Sequence, residues 1–171
     1  MTTAISEWTT VDKSTWGPGP WQDEPDKVHW IDQKTDLDCL MVRSQHGGNW
    51  CGYVAVTEGH PLFGVGYSET YKLVPFDEDG GNPLGVHGGL TYADFCMETD
   101  DESRFVCHVP QPGRPDRVWW FGFDCAHSHD RSPGYEARNP GFSSDYQRYR
   151  DRGYVEREVT RLARQLAELA R

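Results

Sequence analysis

The sequence predicts an α+β domain: an antiparallel β-sheet of about five strands in meander order, with a C-terminal amphipathic helix packed on one face. Two patterns carry this expectation. Short segments rich in Val, Trp, Phe, Tyr and Cys recur between turn-forming stretches, as strands joined by tight connections do. Near the C-terminus the apolar residues Val155, Val159, Leu162, Ala163, Leu166 and Ala170 recur at helical spacing, which gives a helix one face to bury. A chain of 171 residues is long enough for a single core.

Taken in order, residues 1–27 are polar and broken by Trp16-Gly-Pro-Gly-Pro-Trp21, so they read as an irregular arm whose tryptophans dock on a single domain spanning 28–171. Leu37 to Arg43 and Trp50 to Val56 flank the turn-rich stretch from Ser44 to Asn49 and predict a β-hairpin. A turn near His46 or Gly47 sets Cys39 opposite residues 53–56, so no cross-strand bridge to Cys51 is expected. Residues 57–86, rich in Gly and Pro with an acidic patch at Asp77 to Asp79, read as a long excursion between strands. Three more strands follow at Gly89–Cys96, Arg104–Val109 and Arg117–Cys125, joined by the acidic turn 97–103 and the proline-rich stretch 110–115. The helix is expected over Arg152 to Ala170 with Asp151 as its cap, its polar face of Glu156, Arg157, Arg161, Arg164 and Glu168 turned to solvent.

Seven Trp, eight Tyr and seven Phe imply a core of few, bulky side chains. With 17 basic against 27 acidic residues the formal charge is -10, which argues against extended nucleic acid and anionic membranes as partners. A small-molecule ligand or a basic protein partner suits that balance better. The five cysteines are odd in number, scattered and without a C-x-x-C pair, so a disulfide framework is not expected. No apolar leader or span is evident, and the simplest expectation is a cytoplasmic protein with reduced thiols.

Burial pattern selects strand register, because directly opposed residues share a face. Matching apolar sets places Phe105, Cys107 and Val109 opposite Phe123, Phe121 and Trp119, with Phe95, Ala93 and Thr91 on the same face beneath the helix. The other face then carries a row of Tyr92, His108 and Trp120 and a second row of Cys96, Arg104 and Asp124, with Asp94, Val106 and Gly122 between them. Gly122 is expected to leave open space there. This predicts an aromatic and ionic platform for a small polar or nucleotide-like ligand: Tyr92 and Trp120 stacking, Arg104 holding an anion, and Asp94, His108, Asp124, His127 and His87 as further binding residues.

A second reading is a metal-dependent hydrolase, since His127 and His129 in an extended segment can chelate a divalent ion with Asp124 nearby. Cys125 shares their parity but also that of Trp119, Phe121 and Phe123, which assigns it to the core. Asp130 or Asp124 could orient an imidazole as an outer partner, and His87 could serve as a general acid or base. A third reading is a protein-interaction module without chemistry. Walker, Rossmann and G-x-S-x-G patterns are missing from the sequence.

Trp50-Cys-Gly-Tyr-Val-Ala-Val56, Gly59-His-Pro-Leu62, His87-Gly-Gly-Leu-Thr-Tyr92 and Trp119-Trp-Phe-Gly-Phe-Asp-Cys-Ala-His127 together resemble a set of small uncharacterised proteins of actinobacteria and their phages. The resemblance covers roughly residues 50–130. It carries no activity onto these residues; it implies a bacterial or phage intracellular setting and an accessory or host-interaction role.

Overall fold

The protein was analysed as a computed structural model that describes residues 4–76, 78–97 and 99–171. Met1 to Thr3 of the expected arm, Asp77 of the acidic patch and Glu98 of the acidic turn lie outside the described residues.

The α+β expectation holds. Among the described residues the sheet has six antiparallel strands: β1 (Ser6–Trp8), β2 (Lys27–Ile31), β3 (Asp38–Arg43), β4 (Trp50–Thr57), β5 (Tyr92–Phe95) and β6 (Val118–Asp124). They lie in the order β1-β2-β3-β4-β6-β5. Two short helices, α1 (Thr70–Leu73) and α2 (Pro133–Arg138), precede the long α3 (Arg152–Leu169).

The hairpin forms as expected, with Ser44 N donating to Asn49 O and Cys39 opposite Val54. The excursion that follows β4 sends Leu62, Val74 and Leu84 into the core. Asp151 caps α3 by accepting from Tyr154 N at 2.8 Å. Val155, Val159, Leu162, Ala163 and Leu166 are fully buried on the sheet, whereas Ala170 ends the helix in solvent. Trp119, Phe121, Phe123 and Cys125 lie in the same core as this stripe. Gly52 on β4 makes the close approach possible, for a Cβ there would stand 2.5 Å from a Val159 methyl.

Three expectations change. First, the stretch expected to be an irregular arm supplies the edge strand β1 and leads into β2, while its tryptophans dock as expected, Trp16 and Trp21 being buried. Buried ion pairs fasten it. Arg43, with no side-chain exposure, donates to Asp26, Glu24, Tyr149 and the Gly48 and Pro25 carbonyls, and its guanidinium lies 4.2 Å from the Trp50 ring centroid. Lys13 completes the cluster on Asp26 at 2.7 Å.

Second, residues 104–109 are not a strand. β6 pairs instead with β4 on one side and β5 on the other, bringing Tyr92 opposite Gly122 and Asp94 opposite Trp120. The expected pairing of Phe105, Cys107 and Val109 with β6 does not form. The segment after β5 folds over the sheet face, held by Val106 in a second apolar cluster and by Lys27, whose ammonium donates to the Glu102 and Cys107 carbonyls.

Third, Cys96 and Cys107 form a disulfide, with Cα atoms 4.6 Å apart, contrary to the expectation of reduced thiols throughout. Their positions are joined by the fold-over and not by any sequence spacing typical of a framework. Cys39, Cys51 and Cys125 remain free. No described helix is long and apolar enough to cross a membrane.

Candidate functional site

The expected aromatic platform is a second core. Trp120 is fully buried among Leu40, Val42, Tyr53, Ala55, Val106 and Val118, so it offers no face to a ligand. The space expected at Gly122 is filled by the Tyr53 ring, which would lie 2.2 Å from a Cβ there; Tyr92 meets that ring edge-on at 5.3 Å. Arg104 pairs with its neighbour Asp101 on the surface and not with Asp124, which accepts from Thr91 Oγ1 and Ala126 N. Asp94 is exposed and holds Phe95 N. His108 does come near Trp120, at 6.0 Å between ring centroids, but through the fold-over and not by strand pairing. His129 packs on Tyr146, and the expected His127, His129 and Asp124 set is not among the ligand groups that converge within the described residues.

A different constellation does converge. His87, His127 and Asp130 each present one ligand-type atom within 4.8 Å of the others. The Asp130 carboxylate is 97% buried. Its Oδ2 lies 2.7 Å from His87 Nε2, 3.2 Å from His127 Nδ1 and 3.0 Å from the His127 backbone N–H. Two local devices assemble it.

After β6 the chain makes a tight turn, with Asp130 N donating to His127 O at 2.8 Å. A short bridge between Asp130 and Arg148 then brings Arg150 to Asp130 Oδ1 at 2.8 Å. From the other side, His87 is positioned by α3: its backbone N–H donates to Glu158 and its Nδ1 bonds the Tyr154 hydroxyl, both at 2.8 Å. Gly88 follows in the left-handed region at φ 66°, and its missing Cβ leaves room for the His127 ring, which would stand 2.1 Å from one. Only glycine meets both conditions.

Burial opposes ionisation of Asp130, but hydrogen bonds from Arg150, His87 and the His127 backbone outweigh it and hold the carboxyl below its ordinary range. The result is a buried carboxylate with one oxygen committed to Arg150 and the other shared by two imidazoles. His87 has both ring nitrogens occupied, Nδ1 by the Tyr154 hydroxyl and Nε2 by Asp130. His127 and Asp130 also line a cavity of about 360 Å³, together with Asn49, Tyr135, Phe142 and Gln147. Tyr135 and Phe142, both exposed, form an edge-on pair there with centroids 4.9 Å apart.

Sequence reasoning marked His87 singly, His127 with His129 and Asp124, and Asp130 only as an outer partner. It missed Arg150, Tyr154 and Glu158, which sit among the charged residues flanking or lying on an ordinary solvated helix face. The available signal was the Gly88-Gly89 pair after His87, since glycines allow close backbone approach. No family model matches the chain, and no curated protein and no solved structure is significantly similar to it.

Proposed function

We propose that this protein is a ligand-binding domain in which a divalent transition-metal ion, held by His87 Nε2, His127 Nδ1 and Asp130 Oδ2, anchors a small polar molecule in the adjoining cavity. The observation that carries the reading is the outer shell. The second nitrogen of His87 is tied to Tyr154 and the second oxygen of Asp130 to Arg150, while His87 Nε2, His127 Nδ1 and Asp130 Oδ2 meet one another at hydrogen-bond distance, where a metal ion would take the place of the shared protons. Outer partners of this kind orient the ligands of metal sites. Two imidazoles and a carboxylate suit zinc and its neighbours. The Tyr135 and Phe142 rings offer the ligand an apolar wall, so the binding role first expected of the sheet face falls to this cavity. The bacterial or phage cytoplasm, resting on the motif resemblance, is the setting we attach to this reading.

Tag-free protein, stripped of metal with its disulfide intact, is expected to bind one equivalent of Zn²⁺ or Co²⁺ by calorimetry. His87→Ala and His127→Ala should each weaken binding by about 100-fold or more, above the range for a lost outer partner. Unchanged affinity in both variants would sink the proposal. Gly88→Ala keeps every ligand but drives a methyl into the His127 ring and strains the backbone by about 1–2 kcal/mol. It is expected to weaken metal binding by about 10–100-fold, the effect of a misoriented ligand, and the same titration reads it.

A hydrolase is the second reading, favoured by one feature: three protein ligands leave a fourth position open for water, as in catalytic zinc sites. Metal-dependent turnover of chromogenic esters or phosphoesters, lost in His127→Ala, is the expected result for that reading. Tight metal binding with no turnover across such a panel would leave the binding role alone.

A further inference from the structure

A second cluster lies about the fold-over, independent of the His87 site. Cys96 Sγ, Cys107 Sγ and His108 Nδ1 also fall within 4.8 Å of one another. His108 Nδ1 is 3.5 Å from Cys96 Sγ. Tetrahedral zinc, with Zn–S of about 2.3 Å and Zn–N of about 2.0 Å, sets two such ligands about 3.6 Å apart. His108 is nearly fully buried, and its Nε2 has no hydrogen bond among the described residues; the Asp116 carboxylate stands 3.5 Å away, where an outer partner would be. A cavity of about 600 Å³ lined by Lys27, both cysteines, His108 and Asp116 gives access from solvent.

We propose that Cys96, Cys107 and His108 form a redox-gated site for zinc-like ions, closed while the cysteines are joined and opened when they are reduced. A dithiol supplies two electrons and two protons: the Cys96–Cys107 bond breaks to two thiols as the dithiol closes to its own disulfide. Metal binding then releases both thiol protons to solvent and forms two metal–sulfur bonds and one metal–nitrogen bond to His108 Nδ1.

The surrounding structure keeps the three groups together after the sulfur–sulfur bond opens. Met97 N donates to Val106 O across the neck of the loop, Val106 is anchored in the second core, and Lys27 grips the Cys107 carbonyl at 2.9 Å. The Trp120 indole N–H donates to Cys96 Sγ at 3.4 Å and helps hold that sulfur in place. The other thiols do not compete. Cys39 and Cys125 are buried, and burial with help from Asp124 pushes the Cys51 thiol up to about 12.

The test is a Co²⁺ titration of the full chain, oxidised and then reduced with a phosphine in water. The reduced protein is expected to develop a near-ultraviolet thiolate-to-cobalt charge-transfer band and to bind one equivalent more than the oxidised protein, which develops no such band. His108→Ala should weaken the reduced form's binding at least about tenfold, while His87→Ala leaves the band intact, because an imidazole and carboxylate site gives no thiolate band. No band in reduced wild-type protein overturns the proposal, as does a band that persists in Cys96→Ser/Cys107→Ser. The comparison of oxidised with reduced wild type needs no variant to fold, and failure at the His87 site leaves it unaffected.

Discussion

Arg43→Met is expected to cost about 3–5 kcal/mol of folding stability, the cost of removing one partner from a buried ion network. That is a large share of the roughly 5–15 kcal/mol that holds a domain together. Arg43 binds Asp26 and Glu24 while also satisfying Tyr149 and two backbone carbonyls. Glu24 in turn accepts from the Trp50 indole and from Arg152 N at the start of α3. One guanidinium therefore ties the N-terminal segment, the central hairpin and the helix. Methionine preserves much of the stem's volume but takes from Glu24 its ion-pair partner and leaves Asp26 with Lys13 alone, in a site that burial makes hostile to charge. Lysine would not restore it, because a single ammonium cannot span this fork of acceptors.

The same network fixes a pH dependence. Burial opposes the ionised forms of Glu24 and Asp26, but hydrogen bonds from Arg152 N, Tyr149 and Arg43 to the first, and from Lys13 and the Val11 and Thr10 N–H groups to the second, hold both below their ordinary values. Their folded values lie below the unfolded ones. Their stabilisation is thus fully present above about pH 4–5 and is lost as pH falls through the carboxylate range. In Arg43→Met the stranded carboxylates are relieved by protonation, so the gap to wild type should narrow on acidification. Denaturant unfolding at pH 7 and near pH 4 reads both effects; a gap that is small at pH 7, or grows in acid, contradicts the role given to Arg43.

What the sequence made legible is what periodicity encodes. The stripe from Val155 to Leu166 and the alternation of Trp119, Phe121 and Phe123 each specify a face, and both meet in one core. The Ser44 to Asn49 turn fixes a register locally, which is why Cys39 lies opposite Val54. Residues 104–109 alternate just as well, yet Phe105 is exposed and only Val106 and His108 are buried. Alternation says which side chains share a side and not which strand they meet. The decisive contacts, Lys27 on the Cys107 carbonyl and Cys107 on Cys96, bridge distant or unpatterned positions.

β2 was hidden for the opposite reason. Lys27 and His29 break the apolar pattern, and only tertiary partners, the loop carbonyls for one and Asp38 for the other, make them buried strand residues. The unbroken apolar run Val118 to Phe123 did hold an unread clue: a strand apolar on both faces needs cover on both, and β6 faces the helix-side core with Trp119, Phe121 and Phe123 and the second cluster with Val118 and Trp120. The candidate site was visible only in pieces, since His87 and Asp130 meet through the left-handed backbone at Gly88 and the turn after β6.

Trp120→Ala separates a core residue from a binding surface. With its indole fully buried in the second cluster, truncation should cost about 3–5 kcal/mol, as large aromatic-to-alanine changes in cores do. Tyr53 cannot refill the void, because its ring already occupies the space over Gly122. Metal affinity at His87, His127 and Asp130 should stay within about threefold of wild type when measured on the folded fraction, since distant sites act independently. Trp120→Phe fills more of the space than alanine but loses part of the fused ring and the N–H that Cys96 Sγ receives, so its stability loss should fall below that of Trp120→Ala. If Trp120→Ala lost under 1 kcal/mol while weakening a bound ligand, the indole would be accessible and the sheet face would be a platform after all. A large stability loss with unchanged metal binding assigns this face to the core and leaves binding to the opposite end of β6, where the chain turns into His127 and Asp130.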